Sequence, residues 1–189
     1  MTFATMRGVA PILTDLASGT LAGEGVVAAR RTVGDLAGLW RDAGAAAGLA
    51  DVPLYETRSW AVAPEGTPGA VLWGSTVLFP GRVGDEAFMT RGHRHLDPTR
   101  GEIVLTLSGH GLLVLGDGAR AWTEEMRPGS THAVDGRHAH RTVNVGDDPL
   151  VFLCAWPADC GHDYESVARG GMGGRVLASA AGYGLVPDA

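Results

Sequence analysis

The stretch Gly92-His93-Arg94-His95, followed by Glu102 and then by His140, decides the reading of this chain. Three imidazoles and one carboxylate stand in the order His-x-His-x6-Glu…His, a set that can hold a divalent metal in a small β-barrel. Successive side chains on a strand point to opposite faces, so His93 and His95 share one. Glu102 opens the run Glu102-Ile-Val-Leu-Thr-Leu107 just beyond a Pro98/Gly101 turn, which predicts that it stands beside the two histidines on a paired strand. His140 then arrives from a later strand. Such a set leaves one or two positions for water or substrate, as a catalytic metal requires.

Outward from this centre, short strands are predicted at Leu54–Ser59, Ala70–Phe79, Glu86–Thr90, Glu102–Leu107, Gly111–Leu115, Arg120–Met126, Thr131–Val134, Arg141–Asn144 and Val151–Ala155. Turn signals at Pro80-Gly81, Asp117-Gly118, Pro128-Gly129 and Gly146-Asp147-Asp148-Pro149 separate them. Many short strands at this spacing predict a sandwich or barrel. Before them, Leu36, Leu39 and Trp40 fall at helical spacing in Thr32–Asp42, and the Ala/Gly-rich run to Leu49 extends the helix or forms a loop. Three regions result: an N-terminal arm with a short helix (1–50), an all-β barrel (51–168) and a Gly/Ala-rich tail (169–189) expected to be loosely ordered.

The chain has 189 residues and a net charge of −6, which suits one domain with a sizeable core. No basic cluster interleaved with aromatics is present, which argues against nucleic-acid binding. No long apolar run occurs, and Met1–Arg7 is not a basic segment leading into an apolar one, so the expectation is a cytoplasmic protein away from membranes. All 15 basic side chains are arginine. Without lysine, neither a Schiff base nor a pyridoxal phosphate anchor is available. Cys154 and Cys160 read as free thiols at a spacing unlike that of metal ligands. His110 and His132 read as surface or turn residues.

His93, His95, Glu102, Gly109, His140 and Asn144 together resemble the two sequence motifs of the cupin superfamily. Three longer stretches resemble one family within it, the cupin-type glucose-6-phosphate isomerases of archaeal style. They are Phe79-Pro-Gly-Arg-Val-Gly-Asp-Glu-Ala-Phe-Met-Thr-Arg-Gly-His-Arg-His95, His138-Ala-His-Arg-Thr-Val-Asn-Val-Gly-Asp-Asp-Pro149 and Trp156-Pro-Ala-Asp-Cys-Gly-His-Asp-Tyr164. The resemblance implies a cupin jelly-roll barrel with an N-terminal helical or extended arm, and a homodimer. It implies one divalent transition metal, Fe2+ first, with Mn2+, Ni2+ or Zn2+ as alternatives, on His93, His95, Glu102 and His140. Thr76, Thr90 and Gly92 match phosphate-binding positions, while Tyr55, His162 and Tyr164 match residues lining a sugar. Val104, Arg137 and Trp156 depart from the family pattern; Arg137 and Trp156 are retained as substrate-facing candidates, Arg137 as a bidentate anion contact.

The reaction so implied is an aldose–ketose isomerisation in glycolysis or gluconeogenesis, with Glu102 as base and His162 opening the ring or relaying a proton. An enediolate route and a hydride shift between C1 and C2 both fit. The departures leave two other classes open: an isomerase, epimerase, tautomerase or Fe(II) oxygenase on another anionic substrate, and a non-catalytic sugar-phosphate binder.

Overall fold

The computed structural model describes residues 11–188, so the Met1–Arg7 opening and the end of the tail at Ala189 lie outside the described residues. The strands used below are β1 (Val27–Thr32), β2 (Pro53–Ala61), β3 (Val71–Leu78), β4 (Arg94–His95), β5 (Glu102–Ser108), β6 (Gly111–Gly116) and β7 (Ala121–Met126). They continue with β8 (Thr131–Val134), β9 (Ala139–Asn144), β10 (Leu150–Pro157), β11 (His162–Asp163), β12 (Gly174–Ser179) and β13 (Gly182–Pro187). Two short helices, α1 (Ala43–Gly48) and α2 (Tyr164–Gly170), flank them.

A six-stranded antiparallel sheet runs β8-β5-β10-β3-β2-β1, and a three-stranded sheet runs β7-β6-β9. Leu78, Val104 and Phe152 from the first pack with Leu113, Leu115 and Val143 from the second in one buried cluster. This two-sheet, all-β arrangement is the sandwich that the strand spacing predicts, and it fits the jelly roll that the resemblance implies. The chain between the sheets is bound to the smaller one. Met89 and His93 bridge to Val143 and His140 on β9, and β4 then pairs with β11.

Three expectations change. The region before residue 50 is no separate arm, since β1 forms the outer strand of the large sheet on β2. The helical pattern at Thr32–Asp42 becomes a 3₁₀ turn at Gly34–Leu39, broken at Leu36 (φ −113°); Leu36 and Trp40 still enter the core, with Trp40 Nε1 donating to the Val33 carbonyl at 3.0 Å. The tail is ordered: β12 and β13 form a hairpin, and Leu177 pairs with Glu86. The cause is a buried carboxylate. Glu86 Oε1 accepts from Arg175 at 2.9 Å, and Glu86 Oε2 accepts from the Arg41 backbone N–H at 2.9 Å. Arg175 also donates to the Leu39 carbonyl at 2.8 Å, which ties both ends of the chain to one side chain.

Candidate metal centre and substrate cavity

β9 is the strand on which the site is built. Its sequence Ala139-His-Arg-Thr-Val-Asn144 is largely polar, yet all six residues are buried. A buried polar strand must find partners, and this one does. Thr142 N donates to Thr90 Oγ1 at 3.0 Å, and Asn144 Nδ2 donates to the carbonyls of Leu78 and Asp148, both at 2.9 Å. Three groups on or facing the strand remain unpartnered: His140 Nε2, Arg141 Nε and, across the bridge, His93 Nε2.

His93 and His140 are a hydrogen-bonded backbone pair, at 3.1 and 2.9 Å, so their side chains emerge together. His93 and His95 stack with centroids 5.6 Å apart, as the His-x-His spacing predicts. Glu102 does not come from the strand beside them. It heads β5 in the opposite sheet and reaches across, its Oε2 3.6 Å from both His95 Nε2 and His140 Nε2. The neighbour of His93 is His140, because the chain passes between the sheets there instead of turning back as a hairpin.

The four residues form one cluster whose ligand atoms lie within 4.8 Å of one another. The Nε2 atoms of His93, His95 and His140 are buried with no hydrogen-bond partner. His95 Nδ1 faces the Arg100 carbonyl at 2.6 Å and His140 Nδ1 faces the His138 carbonyl at 3.3 Å. Those contacts put the protons on Nδ1 and leave the Nε2 lone pairs free, the tautomer a metal-ligating histidine needs. Three buried lone pairs aimed at one carboxylate are costly unless a cation fills the space; the residues present fit a divalent transition metal.

The electrostatics agree. Burial and the neighbouring imidazoles push His93 down to about 2, so it is neutral. Burial alone would lower His95, but the facing Glu102 carboxylate and the contact with the Arg100 carbonyl raise it. Burial would raise Glu102, yet the facing imidazoles of His140 and His95, with His93 beyond them, hold it well below the usual carboxylate range. His162 is lowered by burial and by the charge of His95.

Beside the cluster lies a cavity of about 290 Å³. Of the remaining site candidates, Tyr55, Thr76, Thr90, Gly92, Trp156, His162 and Tyr164 all line it. Tyr55 and Tyr164 are kept as neutral phenols by burial, which raises both. Gly92 has φ +76°, and a Cβ there would stand 2.9 Å from Arg141 Nε, so glycine is required. The Trp156 ring lies over Gly74 on β3, where a Cβ would be 2.8 Å from the ring; it therefore forms a wall of the cavity. Val104 lines the same cavity.

Arg137 is not brought to this cavity. It lies in a solvent-facing turn and donates to Asp135 at 2.9 Å, so the expected anion contact is not made there. The missed residue is Arg141, whose buried guanidinium lines the cavity with Nη2 donating to the Arg91 carbonyl at 3.1 Å. Arg58 and Arg91 add positive charge, and Arg91 sits 4.7 Å over the Tyr164 ring. The one signal in the sequence is that Arg141 directly follows the ligand candidate His140; its burial is set by the fold. His132 is likewise buried, between Glu124 at 2.7 Å and Ser130 at 2.9 Å, instead of lying at the surface; His110 is exposed against Glu125. Cys154 and Cys160 are free thiols.

Two facing antiparallel sheets with a His3Glu cluster at the cavity they share define a cupin with a candidate metal centre. The sequence profile of the glucose-6-phosphate isomerase (GPI) family matches residues 30–184, and the chain belongs to that family. It is 42% identical over 129 residues to the glucose-6-phosphate isomerase of Pyrococcus furiosus, a match covering 67% of each chain. It is 39% identical over 139 residues to that of Thermococcus litoralis, covering 73% of this chain and 72% of the other. Among solved structures, Bacillus subtilis oxalate decarboxylase, described with Mn(II) centres, matches part of the fold at 22% identity and a TM-score of 0.44, over 56% of this chain and 26% of that one.

Proposed function

We propose that this protein is a metal-dependent isomerase interconverting glucose 6-phosphate and fructose 6-phosphate. The observation that carries the reading is the juxtaposition of three orphaned imidazole nitrogens and Glu102 with a cavity rich in hydroxyls and arginine. A divalent metal held by His93, His95, Glu102 and His140, with Fe2+, Mn2+, Ni2+ and Zn2+ as the candidates, would polarise the sugar carbonyl and hydroxyl as a Lewis acid.

Glu102 is the carboxylate among the described residues that line the cavity, so it is the base available to take a proton from C2 and return it at C1. His162, neutral and with its ring centroid 4.5 Å from that of His93, takes the proton of the anomeric hydroxyl and delivers it to the ring oxygen as the C1–O5 bond breaks, and the reverse closes the ring. At the other end, the Thr76 and Thr90 hydroxyls, the Gly92 backbone and the buried Arg141 cation receive the phosphate. Tyr55 and Tyr164 flank the sugar as neutral hydroxyl donors. Trp156 and Val104 exclude water from the reacting face. The relatives carry the name of the same reaction. The protein acts in the cytoplasm as a homodimer.

Metal-stripped protein reloaded separately with each ion, in a coupled assay converting fructose 6-phosphate to glucose 6-phosphate, tests this. Turnover that depends on the ion supports it. No turnover from a protein that demonstrably binds metal overturns it, and shifts the same chemistry to another anionic substrate, the reading favoured by the apolar wall of Val104 and Trp156.

A further inference from the structure

A second group of donors lies behind the first. His95, Cys160 and His162 place one imidazole nitrogen each and a thiol sulfur within 4.8 Å of one another. Cys160 Sγ is 4.0 Å from His162 Nε2. The arrangement is fixed by the fold, since His95 and His162 are direct cross-strand partners in the β4–β11 ladder. The turn carrying Cys160 is clamped to the turn after β4: Asp97 N donates to the Cys160 carbonyl at 2.9 Å, and Arg100 pairs with Asp159 at 2.9 Å.

Both imidazoles are oriented for ligation. His95 Nδ1 is engaged by the Arg100 carbonyl, and His162 Nδ1 faces Glu65 Oε1 at 3.6 Å, which turns each Nε2 toward the sulfur side. Cys160 is 1% exposed and no charged donor activates it, so oxidants and electrophiles have no ready path to its sulfur. Of the three residues, His162 lines the cavity.

We infer that His95, Cys160 and His162 form a second, thiophilic metal site for a divalent ion of the Zn2+ or Cd2+ type, and that it excludes the metal of the first site because both need His95 Nε2. Binding forms two metal–nitrogen bonds and one metal–sulfur bond and releases the thiol proton to solvent, with no change of oxidation state. A soft ion therefore withdraws one ligand from the His93–His95–Glu102–His140 set and immobilises His162, so it inhibits by displacement. An oxygen-preferring ion such as Mn2+ has little affinity for the sulfur set and stays in the first.

The test adds one equivalent of Cd2+ to the Mn2+-loaded full-length protein and follows ultraviolet thiolate-to-cadmium charge-transfer absorption, together with release of Mn2+ by electron paramagnetic resonance. The band, with release of Mn2+, is expected in the wild type and in Cys154→Ser, and no band in Cys160→Ser or Cys160→Ala; release without a band in the wild type marks exchange at the first site and overturns the inference. Two replacements at residue 160 guard against one failing to fold, and melting curves check both. Inhibition of isomerase turnover by Cd2+ is expected to weaken at least tenfold in the Cys160 variants, with their Mn2+-supported activity unchanged. No band in the wild type, or a band that survives Cys160→Ala, overturns the inference. The absorption reads metal binding directly, so it decides the matter even if the protein turns over no glucose 6-phosphate.

Discussion

β9 and β10 border the same cavity from opposite sheets, and they do so in opposite ways. β9 is polar and buried throughout, with Thr142, Asn144 and Arg141 each held by a partner across the strand. β10 begins as a buried apolar strand and ends half-buried at Cys154, Ala155, Trp156 and Pro157, touching the cavity mainly through packing. Buried polar groups impose geometry, because a lost partner costs about 1–3 kcal/mol. An apolar wall discriminates weakly, since one methylene is worth only about 10- to 200-fold, whereas a site built to hydrogen-bond a substrate group rejects an analogue lacking it by about 10⁴–10⁵. The β9 side therefore fixes the chemistry, and the β10 side tunes the substrate.

The sharpest way to break this asymmetry is at the metal. His140→Ala removes a ligand from β9; turnover is expected to fall by roughly a thousandfold, in line with several kcal/mol of Lewis-acid stabilisation. Metal content measured alongside the coupled assay checks it. Ion uptake by the stripped protein should also weaken as pH falls, with His95 protonating before His93 because its pKa is raised while that of His93 is lowered. Next comes Glu102→Gln, expected to cost about 10²–10⁴ in turnover. Metal content retained alongside that loss would separate its role as base from its role as ligand.

Arg141→Met is expected to raise KM for the sugar phosphate by about 10- to 100-fold, the worth of a charge-assisted hydrogen bond, while leaving catalysis on a non-phosphorylated aldose little changed. A purely structural role would depress both substrates equally. Gly92→Ala forces a Cβ into a left-handed position against Arg141 and should lower stability by about 1–3 kcal/mol, read from denaturant midpoints. Smallest of all, Arg137→Ala should change kinetics by less than about twofold, because that side chain sits in a solvated turn paired with Asp135.

The grouping of His93, His95, Glu102 and His140 as a candidate metal quartet and most strands of the two sheets were legible in the sequence because they rest on local rules: alternation on a strand, turn residues between runs, donor types at fixed spacing. The sheet from which Glu102 reaches the metal was not legible, since a Pro98/Gly101 turn reads as a hairpin whether or not the chain then crosses to another sheet. Arg137 drew attention by departing from the family pattern, yet its near neighbour Asp135 satisfies it. Arg141 was hidden because burial on both faces of β9 is a tertiary fact. The β12–β13 hairpin was masked by glycine and alanine, whose pairing depends on Glu86 nearly ninety residues away. Cys160 looked unrelated to His95 and His162 until the β4–β11 pairing set them together.

Glu86 also bears on how the molecule comes apart. Its carboxylate joins Arg41, Arg175 and, through Arg175, the Leu39 carbonyl, so the N-terminal turn and the C-terminal hairpin share one anchor. Segments so linked open as a single cooperative unit. Backbone amides of Leu36–Trp40 and of β12 should then exchange with deuterium at matching rates, and losing either terminus would release the other from the protected set.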